Sequence, residues 1–161
     1  AEAIISEIKQ YKTSHITVTG GEPLAQKNCI GFLQQLCDLG YDVSLETSGA
    51  ILVDQVDKRV VKILDVKTPA SNEEGKNKFE NFAYLREGDQ IKFVIWDEDD
   101  YLWSKHLVEQ HQLETKCEIL FSPSYQQLEA VTLADWVLRD QLNVRFQVQL
   151  HKYLWGDKPG V

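Results

Sequence analysis

Two successive glycines and a glutamate occupy the turn between a predicted strand and the helix that follows it. The segment 18–24 reads VTGGEPL, so the turn contains Gly20, Gly21 and Glu22. Glycines let a backbone approach a ligand closely and expose its N–H and C=O groups, while the glutamate adds a charged acceptor. A cationic amino group would suit such a site. The alternative interpretation is a tight turn without a ligand.

Three further charged residues stand at the ends of two other predicted strands. Glu46 ends the strand 43–47, and Asp65 and Lys67 lie at the end of the strand 60–66. A single carboxylate in such a position is often only a helix cap or a loop anchor. However, the carboxyl ends of parallel strands form the ligand-binding edge of α/β folds. Together with the glycine turn, these residues therefore predict one convergent polar site.

Composition and missing motifs narrow the ligand to a small molecule. The sequence contains neither a GxGxxG dinucleotide fingerprint nor a GxxxxGK[ST] phosphate loop. Its 161 residues carry a formal net charge of -8, which opposes binding to a nucleic-acid backbone. No apolar run approaches the roughly 18 residues of a membrane span. We expect a cytoplasmic protein that binds neither nucleic acid nor a membrane.

The cysteines and histidines do not form a recognisable metal site. Cys29, Cys37 and Cys117 are odd in number and widely spaced, so we expect three small, buried, reduced thiols. His106 and His111 miss the i, i+4 spacing of a two-histidine metal site, which predicts surface residues. We therefore assign no catalytic residue and no metal ligand within this sequence.

Alternating helix and strand patterns must position the polar residues. Strands are predicted at 16–19, 43–47, 60–66, 91–95, 117–121 and 144–149. Helices are predicted at the start of the chain, over 26–39 and over 51–58. Two more are predicted, one opening at residues 97–100 and one capped by Thr132. A mobile loop is predicted at 71–78 and a tail at 151–161.

This alternation of strands and helices implies right-handed βαβ crossovers and a parallel sheet. Periodicity alone leaves an open doubly wound sheet and a full or partial barrel as alternatives. No linker marks a second domain, so residues 1–161 are predicted to form a single domain.

The motifs, taken in order, resemble one enzyme family. GGEPL, ETSG, DVKTPAS, QIKFVIW, FSP and the ending QLHKYLWGDKPGV are similar in order and spacing to the 7-carboxy-7-deazaguanine synthase family of queuosine biosynthesis. GGEP alone indicates only the radical S-adenosylmethionine superfamily, and the tail QLHKYLWG narrows the resemblance. It implies an α/β fold built as a parallel-sheet partial (β/α) barrel of the radical S-adenosylmethionine type.

The resemblance also implies a reaction. Its substrate is a carboxylated tetrahydropterin, 6-carboxy-5,6,7,8-tetrahydropterin, and a radical rearrangement with loss of ammonia yields 7-carboxy-7-deazaguanine. An enzyme of this kind is a carbon–nitrogen lyase. The implied cofactors are S-adenosylmethionine, a 4Fe-4S cluster and magnesium, and the implied assembly is a homodimer.

By resemblance, individual residues acquire roles in that reaction. The predicted cofactor-binding residues are Gly20, Gly21 and Glu22 at the methionine amino group, Glu46 near the ribose, and Asp65, Val66 and Lys67 at the ribose or carboxylate. The residues expected to face the substrate are Thr19 and His151.

One departure from the family pattern concerns the cluster. Family members hold it on three clustered cysteines upstream of the helix that precedes GGEP, and this sequence begins in that helix. We expect the first strand, the cluster loop and the magnesium-binding residue to be missing together, and this chain alone to be inactive. The alternatives are an activating enzyme for a glycyl-radical protein, against which the tail argues, and a non-catalytic cofactor-binding module.

Overall fold

A six-stranded parallel sheet forms the centre of the computed structural model, which describes residues 2–156 and residue 158. The strands are β1 (His15–Val18), β2 (Asp42–Thr47), β3 (Val61–Val66), β4 (Gln90–Ile95), β5 (Glu118–Pro123) and β6 (Arg145–Phe146). The α-helices are α1 (Glu2–Ile8), α2 (Cys29–Asp38), α3 (Glu98–His111), α4 (Ala130–Arg139) and α5 (Leu150–Trp155). Short 3-10 turns lie at Pro23–Ala25, Pro69–Ser71, Glu74–Lys76, Phe79–Tyr84 and Leu113–Thr115.

Each strand pairs in parallel with the next strand in the chain, so the spatial order is β1-β2-β3-β4-β5-β6. A doubly wound sheet reverses its strand order at a switch point, whereas a barrel is wound in one direction. The sheet stays open, because β1 and β6 are its two edges. The fold is therefore the partial barrel that the family resemblance implies.

One apolar core lies between the sheet and the helices α2, α3 and α4. Every second strand residue enters it, such as Val43 and Leu45 in β2 and Ile91, Phe93 and Ile95 in β4. This period of two is the alternation that strand geometry imposes. In the part of the chain that the structure describes, no helix has both the length and the apolar character needed to cross a bilayer.

The sheet face opposite this core is the inner face. Side-chain contacts join neighbouring strands on this face. The hydroxyls of Thr17 and Ser44 lie 2.9 Å apart, and Gln90 Nε2 donates to Glu118 Oε2 at 2.7 Å. Strand register and side-chain alternation place further residues on the same face. They are Glu46, Ile63, Asp65, Lys92, Val94, Leu120 and Ser122.

The prediction of a helix over residues 51–58 is wrong. This stretch is irregular, and the buried side chain of Asn81 holds it in place. Val53 N donates to Asn81 Oδ1 at 2.9 Å, and Asn81 Nδ2 donates to the carbonyls of Gly49 and Ile51. These tertiary hydrogen bonds satisfy backbone groups that a helix would have paired internally. The connection between β2 and β3 therefore lacks a crossover helix.

The region after β5 also differs from the prediction. Helix α4 begins at Ala130, so Thr132 lies within its first turn and does not cap it. The strand predicted over 144–149 shortens to the two residues of β6. The predicted tail begins as helix α5, and residues 157 and 159–161 lie outside the described residues.

The segment 71–78 is irregular, as predicted, and includes a 3-10 turn. Asn77 connects it to the end of β3 through two hydrogen bonds with the backbone of Lys67. Lys67 N donates to Asn77 Oδ1 at 3.0 Å, and Asn77 Nδ2 donates to Lys67 O at 2.8 Å. The segment thus fixes the backbone at the carboxyl edge of the sheet, while its mobility stays a prediction.

Candidate functional site

The turn after β1 needs both of its glycines. Gly20 has a φ of +100° and Gly21 a φ of +56°, in the region that disfavours residues with a Cβ. A Cβ built on either glycine would meet nothing within 4 Å. The requirement for glycine is therefore conformational, and the space beside the turn is open to a ligand.

The carboxylate of Glu22 fastens this turn to the end of β2. It accepts hydrogen bonds from the backbone N–H groups of Leu24 at 3.1 Å and Ser48 at 2.9 Å. It also accepts from the hydroxyls of Thr47, at 2.8 and 2.9 Å, and Ser48, at 2.5 Å. Partial burial raises the pKa of Glu22, but these hydrogen bonds outweigh it and hold the pKa below its ordinary value of 4.5. The ionised side chain thus holds the glycine turn in place.

Glu46 and Thr19, two of the predicted site residues, lie next to each other. Thr19 Oγ1 donates to Glu46 Oε2 at 3.4 Å, across the carboxyl ends of β1 and β2. Both side chains are at least partly exposed to solvent. The contact places a hydroxyl and a carboxylate beside the glycine turn.

Asp65 and Lys67 form an ion pair at the end of β3. Lys67 Nζ lies 2.7 Å from Asp65 Oδ2. The other oxygen, Asp65 Oδ1, is buried and has no hydrogen-bond partner among the described residues. Val66 between them is only 4% exposed and joins the core, so its side chain is directed away from the pair. A buried acceptor without a partner is costly, and a ligand donor would relieve that cost.

A cavity of about 300 Å³ adjoins this ion pair. Residues from β3, from the loops after β4 and β5 and from the chain end line it, including Asp65, Lys67, Trp96, Ser124, Gln149 and Lys152. Lys152 Nζ lies 5.6 Å from the ring centroid of Tyr125, which also lines the cavity. His151 is exposed on α5, and the lining residues of that segment are its neighbours.

Asp100 is a supporting residue that sequence reasoning missed. It is 1% exposed and accepts hydrogen bonds from Thr68 Oγ1 at 2.8 Å, Ala70 N at 3.0 Å and Trp96 N at 3.2 Å. These bonds join the loop after β3 to the end of β4. The acidic run 97–100 predicts only a favourable helix start, and Asp97 does cap α3.

The three cysteines do not fit as iron–sulfur ligands. All are free and buried, as predicted, and burial raises the pKa of each thiol, that of Cys117 to about 11. A cluster binds thiolates that converge. Cys29 and Cys37 lie on α2, whereas Cys117 immediately precedes β5. Within residues 2–156 and 158, no group of three or more His, Cys, Asp or Glu could hold a metal ion.

The two helix histidines differ in environment. His106 is exposed, as predicted. His111 is half-buried, because its ring packs against Phe82 at 5.2 Å and Phe79 at 6.0 Å between centroids. Its role is therefore in packing, which the sequence did not indicate.

Solved structures define the class to which this fold belongs. The crystal structure of QueE from Escherichia coli matches with a TM-score of 0.73 at 18% identity, over 92% of this chain and 62% of that one. The crystal structure of Streptococcus suis SuiB bound to S-adenosylmethionine matches with a TM-score of 0.64 at 13% identity, over 92% and 40%. At these identities the likeness concerns the fold alone, which is an open parallel barrel.

Curated relatives then define the family. The chain is 43% identical to the 7-carboxy-7-deazaguanine synthase of Chlorobaculum tepidum, over 99% of this chain and 74% of the relative. It is 41% identical to that of Koribacter versatilis, over 96% and 75%, and 30% identical to that of Thermoplasma acidophilum, over 98% and 75%. No protein-family model matches the chain. The chain belongs to the 7-carboxy-7-deazaguanine synthase family.

Proposed function

We propose that this chain binds S-adenosylmethionine and acts in the radical reaction that forms 7-carboxy-7-deazaguanine for queuosine biosynthesis. Membership of the family supports the reaction, and the corresponding substrate is 6-carboxy-5,6,7,8-tetrahydropterin. The observation that carries the proposal is the carboxyl edge of the sheet. There, an open glycine turn and several carboxylates follow the first three strands, and a cavity of about 300 Å³ adjoins the carboxylate at the end of β3.

The glycine turn is proposed to receive the amino group of the cofactor's methionine. Backbone carbonyls at Gly20 and Gly21 are suitable acceptors, because neither glycine has a side chain of its own and the space beside each is open. Glu22 adds a negative charge beside the turn, and a charge-assisted hydrogen bond to an ammonium is worth about 1.5–3 kcal/mol. The four donor groups that already hold Glu22 keep the turn preorganised, which lowers the cost of binding.

The residues at the ends of β2 and β3 are proposed to bind the rest of the cofactor. Asp65 Oδ1 is an unpartnered acceptor that suits a ribose hydroxyl, and Glu46 offers a second acceptor nearby. Lys67 can contact a carboxylate in addition to its bond with Asp65. Val66 contributes through its backbone, because its side chain belongs to the core.

Radical chemistry in this superfamily is supplied by S-adenosylmethionine together with a 4Fe-4S cluster. The buried thiols described above do not fit such a cluster, so we assign no residue of this chain to it. We likewise assign no ligand to magnesium, which remains a proposal from the family. The residues of this chain bind and orient the cofactor and the substrate.

Thr19 and His151 are proposed to face the substrate. Thr19 stands beside Glu46 at the carboxyl edge, where it borders the glycine turn. His151 lies between Gln149 and Lys152 in the chain, and both of these neighbours line the cavity. The side chains of both residues are exposed and available to a ligand.

We also propose that the chain forms a single domain and assembles as a homodimer. One continuous core supports the single domain. Helix α5 supports the dimer, since Leu150, Tyr153, Leu154 and Trp155 are all more than half exposed and offer an apolar surface. Light scattering after gel filtration would measure the molar mass in solution, and a homodimer has twice the mass of one chain. A location in the cytoplasm and the lack of nucleic-acid binding stay predictions.

Cofactor binding and product formation test the proposed function. Calorimetric titration should show S-adenosylmethionine binding to the wild type and about tenfold weaker binding to Gly21→Ala. A Cβ at this φ costs roughly 1–2 kcal/mol, so the substituted turn relaxes in the free protein and must return to the strained geometry when it binds. Gly75→Ala is the matched control, since Gly75 does not have a positive φ. The full-length enzyme should produce 7-carboxy-7-deazaguanine anaerobically, detected by mass spectrometry. A wild type that does not bind the cofactor, or a full-length enzyme without product, would contradict the proposal.

A further inference from the structure

Lys92 is a charged residue in the middle of β4 that the cofactor site described above does not use. Its neighbours Ile91 and Phe93 are fully buried in the core, so strand alternation places Lys92 on the inner face. In register it lies between Asp65 of β3 and Leu120 of β5. Lys92 is therefore part of the floor beneath the carboxyl edge of the sheet.

The other cations on this face already have anionic partners. Lys67 Nζ lies 2.7 Å from Asp65 Oδ2, and Arg145 Nη1 lies 3.3 Å from Glu118 Oε2. Lys92 is half-buried, and it has neither an ion pair nor a side-chain hydrogen bond to any residue within 2–156 and 158. Among the described residues it is thus a cation without an anionic partner.

A partly buried ammonium without a counter-charge is unfavourable, because it loses hydration and gains no bond in return. Lys67 holds one carboxylate oxygen of Asp65, while Asp65 Oδ1 stays unbonded although its residue is the strand neighbour of Lys92. The fold therefore leaves a cation and an acceptor side by side on the floor of the site. This pair is complementary to a ligand that carries both an anionic group and an N–H or O–H donor.

We propose that Lys92 binds a carboxylate of the ligand held on the inner face, and that the carboxylated tetrahydropterin supplies it. The inference rests on the proposed function, since the substrate named there carries such a group. S-adenosylmethionine also carries a carboxylate and is the second source of the same chemistry. A lysine at this position would let the enzyme select the carboxylated pterin over its uncarboxylated relatives.

Ligand pairs that differ only in the carboxylate test this proposal. The full-length enzyme is titrated anaerobically without reductant, so that no turnover occurs. One arm compares 6-carboxytetrahydropterin with tetrahydropterin in the presence of saturating S-adenosylmethionine. The other arm compares S-adenosylmethionine with its decarboxylated analogue. The variants are Lys92→Met, which removes the charge, and Lys92→Arg, which keeps it.

The wild type should prefer the carboxylated pterin by about tenfold or more, as expected for a hydrogen bond between charged groups. Lys92→Met should lose that preference, and Lys92→Arg should keep most of it. The exposed Lys58, at the opposite edge of the sheet, provides the control substitution Lys58→Met. Circular dichroism confirms that each variant is folded, and Lys92→Gln replaces Lys92→Met if the latter is not.

Loss of the preference in the cofactor arm alone would show that S-adenosylmethionine supplies the carboxylate, and the proposed anion-binding role of Lys92 would stand. Unchanged preferences of Lys92→Met in both arms would overturn the inference while leaving the proposed function intact. A wild type that binds neither compound would overturn both proposals.

Discussion

Replacing Glu22 by glutamine tests whether its carboxylate holds the glycine turn. The substitution preserves size but removes the charge and turns one acceptor oxygen into an NH₂ donor. In the folded protein that group would face the backbone N–H of either Leu24 or Ser48, each of which now donates to a carboxylate oxygen. One backbone donor would then lack an acceptor, at a cost of about 1–3 kcal/mol.

Because Glu22 is only partly buried, water offsets some of that cost, and we expect a loss of about 2 kcal/mol in the free energy of unfolding. For a chain of this size such a loss lowers the melting temperature by about 4–8 °C. Urea denaturation and thermal melting measure both quantities. Glu87→Gln is the control, since Glu87 is exposed. A Glu22→Gln variant as stable as this control would refute the assigned role.

The same network predicts a pH dependence. The pKa of Glu22 is lowered in the folded protein relative to 4.5, despite a contribution from burial that raises it. Its hydrogen bonds therefore contribute stability above about pH 4.5, and this contribution is lost as the pH falls through the folded-state pKa. Glu22→Gln should accordingly lose stability less steeply than the wild type between pH 5 and the acid limit of folding, measured by urea denaturation at each pH.

The remaining predictions concern separate parts of the molecule. Asp100→Asn should weaken S-adenosylmethionine binding several-fold in calorimetry, because the loop after β3 loses a charged acceptor. Lys62→Met should lower the free energy of unfolding by about 3 kcal/mol in urea, because it leaves the buried Asp89 carboxylate, 2.8 Å away, without its cation. Cys117, whose pKa is raised to about 11 by burial, should resist iodoacetamide at pH 8 until the protein is denatured. His151→Ala should leave cofactor affinity unchanged and slow product formation in the full-length enzyme, and equal losses in both would exclude a substrate contact.

Strand positions could be read from the sequence because each depends on a local pattern. The β-branched and apolar runs at 43–47 and 91–95 became β2 and β4 to within one residue. The helix predicted at 51–58 failed because a distant side chain, Asn81, bonds that stretch, and local periodicity contains no information about such a partner. The shortening of the last strand to β6 was likewise missed.

The sequence predicts which residues lie at the carboxyl edge, because they follow strands that run in one direction. Their hydrogen-bond partners could not be predicted in the same way. Glu22 was predicted to face a ligand, yet its carboxylate is held by Thr47 and Ser48, two residues of another strand end. Asn77 and Asp100, which hold the loop after β3, lie in an irregular stretch and in a helix start that gave no sign of that role.

The sequence by itself determined the family, the strand and helix order, and the chemical types at the carboxyl edge, because motifs and periodicities are local in the chain. Only the tertiary structure decided the single winding direction of the sheet, the hydrogen bonds that hold the glycine turn, and the partners of each charge. Lys92 illustrates the difference. In sequence it is one charged residue within an apolar strand. That it has no counter-charge in the described part of the chain depends on neighbours in β3 and β5 that only folding brings beside it.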